Sequence, residues 1–208
     1  MAIMEAVDYS AVRSLAETSD GRVDSRELTQ LLEDRWLRAY RESTPRMIGI
    51  VGVTVGTFEY TFDDYGTLEA QGIVPADSMI ESRLVYVCGH SNPQGKKRDD
   101  YRLKGWIGRT GRIFGKKWDK GHFIGNALGG AVDRLEMNVF VQRRDLNRGW
   151  SEEGKRYTQM ERYCAQNPGT FCFSRPIYLD ESARPAFLEF GLLRSDGELL
   201  VERFDNRE

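Results

Sequence analysis

The pattern of apolar residues changes once along this chain, near residue 45, and that change calls for both helices and sheet. Before it, Leu28, Leu31, Leu32, Trp36, Ala39 and Tyr40 recur at helical spacing, which predicts a helix over 25–42, with a shorter one over 10–17. Asp24 and Glu27 make a capping box at the start of the longer helix. Gly21, Val23 and Glu27 fit the second half of an EF-hand loop. Ala16 and Thr18 stand where its first ligands belong, so a capped helical hairpin is the better reading. After Ser43-Thr44-Pro45, β-branched and aromatic residues and glycines take over. Strands are predicted over 48–56, 58–62, 83–88 and 172–179, and a hairpin over 187–193 and 198–204 around Ser195-Asp196-Gly197. The expected architecture is α+β: a helical segment over 1–45 and a mixed or antiparallel sheet domain over 46–208.

With 208 residues, 40% of them apolar, the chain has enough material for a real core. No apolar run reaches the roughly 18 residues of a membrane-spanning helix. The start, Met1-Ala2-Ile3-Met4-Glu5, has no basic or long apolar region of a signal peptide, so the expectation is synthesis in the cytoplasm, with any export by a specialised route. Cys88, Cys164 and Cys172 form neither an even framework nor a metal-ligand spacing and are expected as reduced, buried thiols. Charge is unevenly spread. The formal net charge is −2, yet residues 94–162 carry 17 Lys/Arg against 9 Asp/Glu. Such a basic stretch suits a polyanion-binding cleft, although a solvated face would look the same.

Within that stretch lies Trp118-Asp119-Lys120-Gly121-His122-Phe123-Ile124-Gly125, which holds one of the two histidines. Asn138 follows sixteen positions after His122, ahead of Val139-Phe140-Val141-Gln142, and Leu146-Asn147-Arg148-Gly149 comes next. Each has an ordinary reading: His122 as a structural loop residue, Asn138 as a strand end or turn, Asn147 as a helix cap. In conjunction, order and spacing, the three runs resemble the DNA/RNA non-specific endonucleases, a branch of the ββα-metal (His-Me finger) nucleases. The marks of that family are Asp-Arg-Gly-His, Asn-x-x-Pro-Gln, and Leu-Asn-x-Gly followed by a helix carrying a glutamate.

The resemblance implies His122 as general base, Asp119 as a residue that helps fix the loop, and Asn138 as one that shapes the site by hydrogen bonding. It also implies Asn147 as the direct ligand of Mg2+, replaceable by Mn2+, and a helix glutamate that orients metal-bound water. Tyr157-x-x-x-Glu161 repeats the family's aromatic-to-glutamate spacing, about six residues late, as if Ser151 to Arg156 were an insertion looped out between Gly149 and Gly154. Glu153 is the competing glutamate. Lys120 stands for the family's arginine and Val141 for its proline, and lysine keeps the charge while losing the two-pronged phosphate grip. Arg109, Arg112 and Arg148 are candidate phosphate contacts, with nothing to choose between the first two, and Arg175 is a weaker one. His90, at a strand end without a motif, reads as structural.

Two functions follow. One is a metal-dependent, sugar-non-specific endonuclease acting on DNA, RNA or both, as a toxin or defence effector held in check by an immunity-type inhibitor. The other is a catalytically impaired nucleic-acid-binding module on the same scaffold. No membrane partner is expected, and the sequence leaves the oligomeric state open.

Overall fold

The computed structural model describes residues 6–44, 48–73, 81–93, 115–131 and 138–208. The predicted boundary at residue 45, and Arg109 and Arg112, lie outside the described residues. Two helices open the chain, α1 (Tyr9–Leu15) and α2 (Ser25–Ser43). Asp24 accepts from the Arg26 and Glu27 amides at 2.8 and 3.2 Å, satisfying two of the free amides of the first turn of α2. Six strands follow the β pattern: β1 (Ile50–Val55), β2 (Phe58–Asp63), β3 (Arg83–His90), β6 (Phe171–Ile177), β7 (Phe187–Leu193) and β8 (Leu199–Asp205). They form one antiparallel sheet in the order β1-β2-β3-β6-β7-β8. A separate pair, β4 (Trp118–His122) and β5 (Val139–Arg143), is also antiparallel. Among the described residues the remaining α-helices are α3 (Tyr65–Ala70), α4 (Arg144–Asn147) and α5 (Glu152–Gln166).

Alternation along the strands gives the sheet two apolar faces. Tyr86, Cys88, Phe171 and Phe173 meet Val12, Leu28, Leu32 and Trp36 of α1 and α2 on one side. The fully buried Trp36 ring lies 4.6 Å from Phe173 and 5.0 Å from Tyr86. On the other side Phe58, Tyr60, Leu188, Phe190 and Phe204 pack against Tyr157, Met160 and Cys164 of α5 and against Phe123, Ile124, Phe140 and Leu146. Tyr157 meets Phe190 and Phe204 edge-on. The second layer holds α5 and the β4–β5 hairpin in one core, so the candidate site is built on rigid elements. All three cysteines are buried free thiols.

Two expectations change. Arg175 is 3% exposed and pairs at 2.8 Å with Glu189, which also accepts from Tyr9 at 2.6 Å and Arg203 at 2.7 Å. It pins α1 to the sheet, away from any surface a phosphate can reach. The segment 151–156 does not loop out: α5 starts at Glu152, capped by Ser151, whose Oγ accepts from the Gly154 amide at 3.0 Å. Gly154 is a helical residue, and the chain breaks at Gly149 alone, in the left-handed region at φ +67°.

Candidate active site

β4 carries the Asp-Lys-Gly-His run as a strand, with Lys120 opposite Val141 and His122 opposite Val139. Alternation puts Lys120 and His122 on one face, both partly buried, and Asp119 and Gly121 on the other with Phe140 and Gln142. Gly121 has a steric reason: a Cβ there would lie 2.3 Å from Gln142 Oε1 and 2.6 Å from its Cβ. Past His122, Phe123 stacks on Phe140 with ring centres 4.3 Å apart.

Asn138 fixes the chain at this point. It is fully buried and binds one residue twice: the Ile124 amide donates to its Oδ1 at 3.1 Å, and its Nδ2 donates to the Ile124 carbonyl at 3.0 Å. Its own carbonyl accepts from the Phe123 amide at 3.0 Å. A side-chain amide thus replaces a strand where β4 ends, and satisfies both backbone groups of a buried residue two places from His122.

Asp119, on the opposite face, joins the hairpin to α4. It accepts from Arg144 Nε at 2.9 Å and from Arg148 Nε and Nη2 at 2.5 and 3.2 Å. Burial alone would raise the Asp119 carboxyl, but the Arg148 and Arg144 hydrogen bonds and charges outweigh it and hold the group below the usual carboxylate range. The Arg144 member was not anticipated, although its spacing four before Arg148 is a sequence-level sign that one carboxylate can collect both. Asn147, the last residue of α4, is exposed.

From Asn147 the chain turns through Gly149 into α5, and the two helices touch backbone to backbone. A Cβ on Gly154 would stand 2.5 Å from the Asp145 carbonyl and 2.9 Å from that of Leu146. Gly154, Thr158 and Glu161 share one helix face by their spacing. Thr158 Oγ1 lies 3.0 Å from the Cβ position of Gly149, two residues after Asn147, and Glu161 Oε1 lies 3.0 Å from that of Gly125, three residues after His122. Glu161 therefore stands on the α5 face that links the histidine loop to the asparagine turn. Part of the residue's surface is accessible, yet desolvation, which no hydrogen bond or charge among the described residues opposes, pushes its carboxyl up to about 7. Glu153 faces elsewhere, paired with Arg143 at 2.9 Å and accepting from the Asp205 amide at 3.4 Å. His90 is exposed at the end of β3, its ring edge-on to Phe171 at 5.8 Å.

No family model matches this sequence, and the comparison with curated proteins returns no match. Among solved structures the chain is similar to the Sda1 nuclease with bound zinc ion, at 15% identity and a TM-score of 0.39, over 82% of this chain and 81% of that one.

Proposed function

We propose that this chain is a metal-dependent, sugar-non-specific endonuclease that hydrolyses phosphodiester bonds in DNA, RNA or both, with His122 as general base. The observation that supports this most is the contact of Glu161 with Gly125. It sets a desolvated carboxyl, with no charge partner among the described residues, beside the loop that leaves His122. A strand pair ending in histidine, followed by a helix bearing a carboxylate toward it, is what the family resemblance leads one to expect.

In this reading neutral His122 removes a proton from the attacking water, a role suited to an imidazole and worth roughly 10²–10⁴ in rate. Asn138 is a positioning residue that holds the backbone after His122. Lys120, on the same strand face, supplies positive charge toward phosphate, and Arg148 adds more beside Asn147. Asp119 locks α4 against β4 and so fixes Asn147 relative to the hairpin. The donor set suits a hard divalent cation such as Mg2+ or Mn2+: Asn147 offers an exposed amide oxygen, and Glu161 a carboxylate with no counter-charge among the described residues. Among the described residues no group of three or more His, Cys, Asp or Glu is gathered to hold a metal ion, so in this reading the protein's hold on the cation rests on Asn147 and Glu161. When bound, the cation supplies neutralising charge to the phosphate and to the leaving 3′ oxygen. A nuclease of this breadth endangers the cell that makes it, so a toxin or defence role with an inhibitor partner or an export route belongs to the proposal.

Plasmid nicking with and without EDTA, using purified wild-type and His122→Ala protein, tests it. Cleavage that EDTA abolishes and that the variant lacks, while still binding nucleic acid, is the expected result. Cleavage that survives EDTA or His122→Ala refutes the mechanism. Binding without cleavage in the wild type means the impaired binding module instead.

A further inference from the structure

We infer that Trp150 is a stacking platform for an unpaired nucleobase beside the cleavage site, and that single-stranded or locally melted nucleic acid is therefore the favoured substrate. The inference rests on the nuclease reading above and goes beyond it in naming the strand state of the substrate.

Trp150 is 62% exposed, whereas Trp36 and Trp118 are 0% and 3% exposed. Its backbone is fixed: the Trp150 amide donates to the Asp145 carbonyl at 2.8 Å, and Ser151 beside it caps α5. The turn is therefore built to carry this side chain outward. The Arg148 guanidinium lies over one face of the indole, 5.0 Å from the ring centre, and Asp119 holds that guanidinium from behind. With Arg148 over one face and the residue still 62% exposed, the indole has surface left for a second planar group.

The place of this pair in the fold indicates the ligand. Trp150 is three residues past Asn147, and the Gly149 between them touches Thr158 on the α5 face that carries Glu161. Arg144 and Arg148 share the single carboxylate of Asp119, so guanidinium charge exceeds carboxylate within that trio beside the exposed indole, while Arg143 next to it is taken up by Asp145 and Glu153. A flat aromatic surface next to positive charge suits a base together with its phosphate, and such stacking tolerates any base identity. A base inside a duplex is already stacked on its neighbours and cannot reach an indole set on a rigid turn, which makes the contact selective for unpaired strands.

The test is binding of fluorescein-labelled single-stranded oligonucleotides and the matching duplex to EDTA-treated wild type, Trp150→Ala and Trp150→Phe, with plasmid nicking in parallel. Loss of one base–aromatic stack corresponds to roughly 5- to 150-fold weaker binding. Trp150→Ala should show a loss in that range on single strands and little change on the duplex, and Trp150→Phe should recover most of it. Unchanged single-strand binding by Trp150→Ala, or an equal loss on both strand states, overturns the platform and leaves the nuclease reading intact if wild type nicks plasmid. Wild-type protein that neither binds nor cleaves overturns both. Thermal melts of the variants guard against misfolding, and an exposed side chain should leave them unchanged.

Discussion

Replacing Asn138 by alanine cuts the one side chain that holds both backbone groups of Ile124. The residue is fully buried, and its two bonds to Ile124 are 3.1 and 3.0 Å long. Each buried backbone group left unpaired costs about 1–3 kcal/mol, so the pair costs about 2–6 kcal/mol. Melting temperature in a chain of this size moves by about 2–4 °C per kcal/mol, which makes the expected drop roughly 5–20 °C in a protein that still folds. Asn138→Asp keeps the shape and the acceptor for the Ile124 amide but turns an oxygen toward the Ile124 carbonyl. Its destabilisation should be greatest at neutral pH and ease in acid, where a protonated carboxyl can donate. Urea and thermal unfolding measure the stability, and amide hydrogen exchange at Ile124 reads the clamp itself, since that amide should lose protection in Asn138→Ala. A melting point within about 2 °C of wild type, with Ile124 exchange unchanged, would refute the clamp.

Three further outcomes are expected. The folded-state carboxyl of Glu161, at about 7 against an ordinary 4.5, lets the metal-free native protein keep a proton that the unfolded chain releases. Its stabilising effect should be complete below about pH 4.5 and lost as pH rises through 7, a loss of order 3 kcal/mol. Glu161→Gln should remove that slope between pH 4.5 and 7, and parallel urea midpoints for the two proteins across this range would disprove it. Gly154→Ala should destabilise the protein even though alanine favours a helix by about 1 kcal/mol, because the new methyl meets the Asp145 and Leu146 carbonyls, which cannot move aside; a higher melting point would contradict the helix contact. Asn147→Ala should raise the Mg2+ concentration for half-maximal cleavage several-fold with little change in stability, and an unchanged Mg2+ titration would reduce Asn147 to a helix end.

The sheet strands and the two N-terminal helices were legible because their apolar residues repeat with the period of the element over six or more positions. Capping by Asp24 and the hairpin at Ser195-Asp196-Gly197 were equally local. β4 and β5 were implied only by the resemblance to ββα-metal nucleases and do not show in the apolar pattern: at five residues, with glycine and charged side chains inside, their alternation is too short to stand out, and the His122 run by itself reads as a loop. The start of α5 was misread because Gly154 has two physical uses, chain reversal and close packing, and only its contact with α4 shows which applies.

For the site, the residue types and their order were in the sequence, since an acid, a cation, a glycine and a histidine in one run, then two asparagines, carry their chemistry wherever they fold. Tertiary structure decided the pairing among them. It gave Asn138 to Ile124, Asp119 to Arg144 and Arg148, Arg175 to the buried seam under α1, and Glu161 rather than Glu153 to the loop beyond His122. The Tyr157 spacing favoured Glu161 in the sequence, but what each carboxyl meets was not legible there, because Glu153 and Glu161 lie on one helix eight residues apart and differ in what packs against each face. Those neighbours come from the loop after β4, from β5 and from β8, which meet α5 only once the hairpin and the sheet have closed one core.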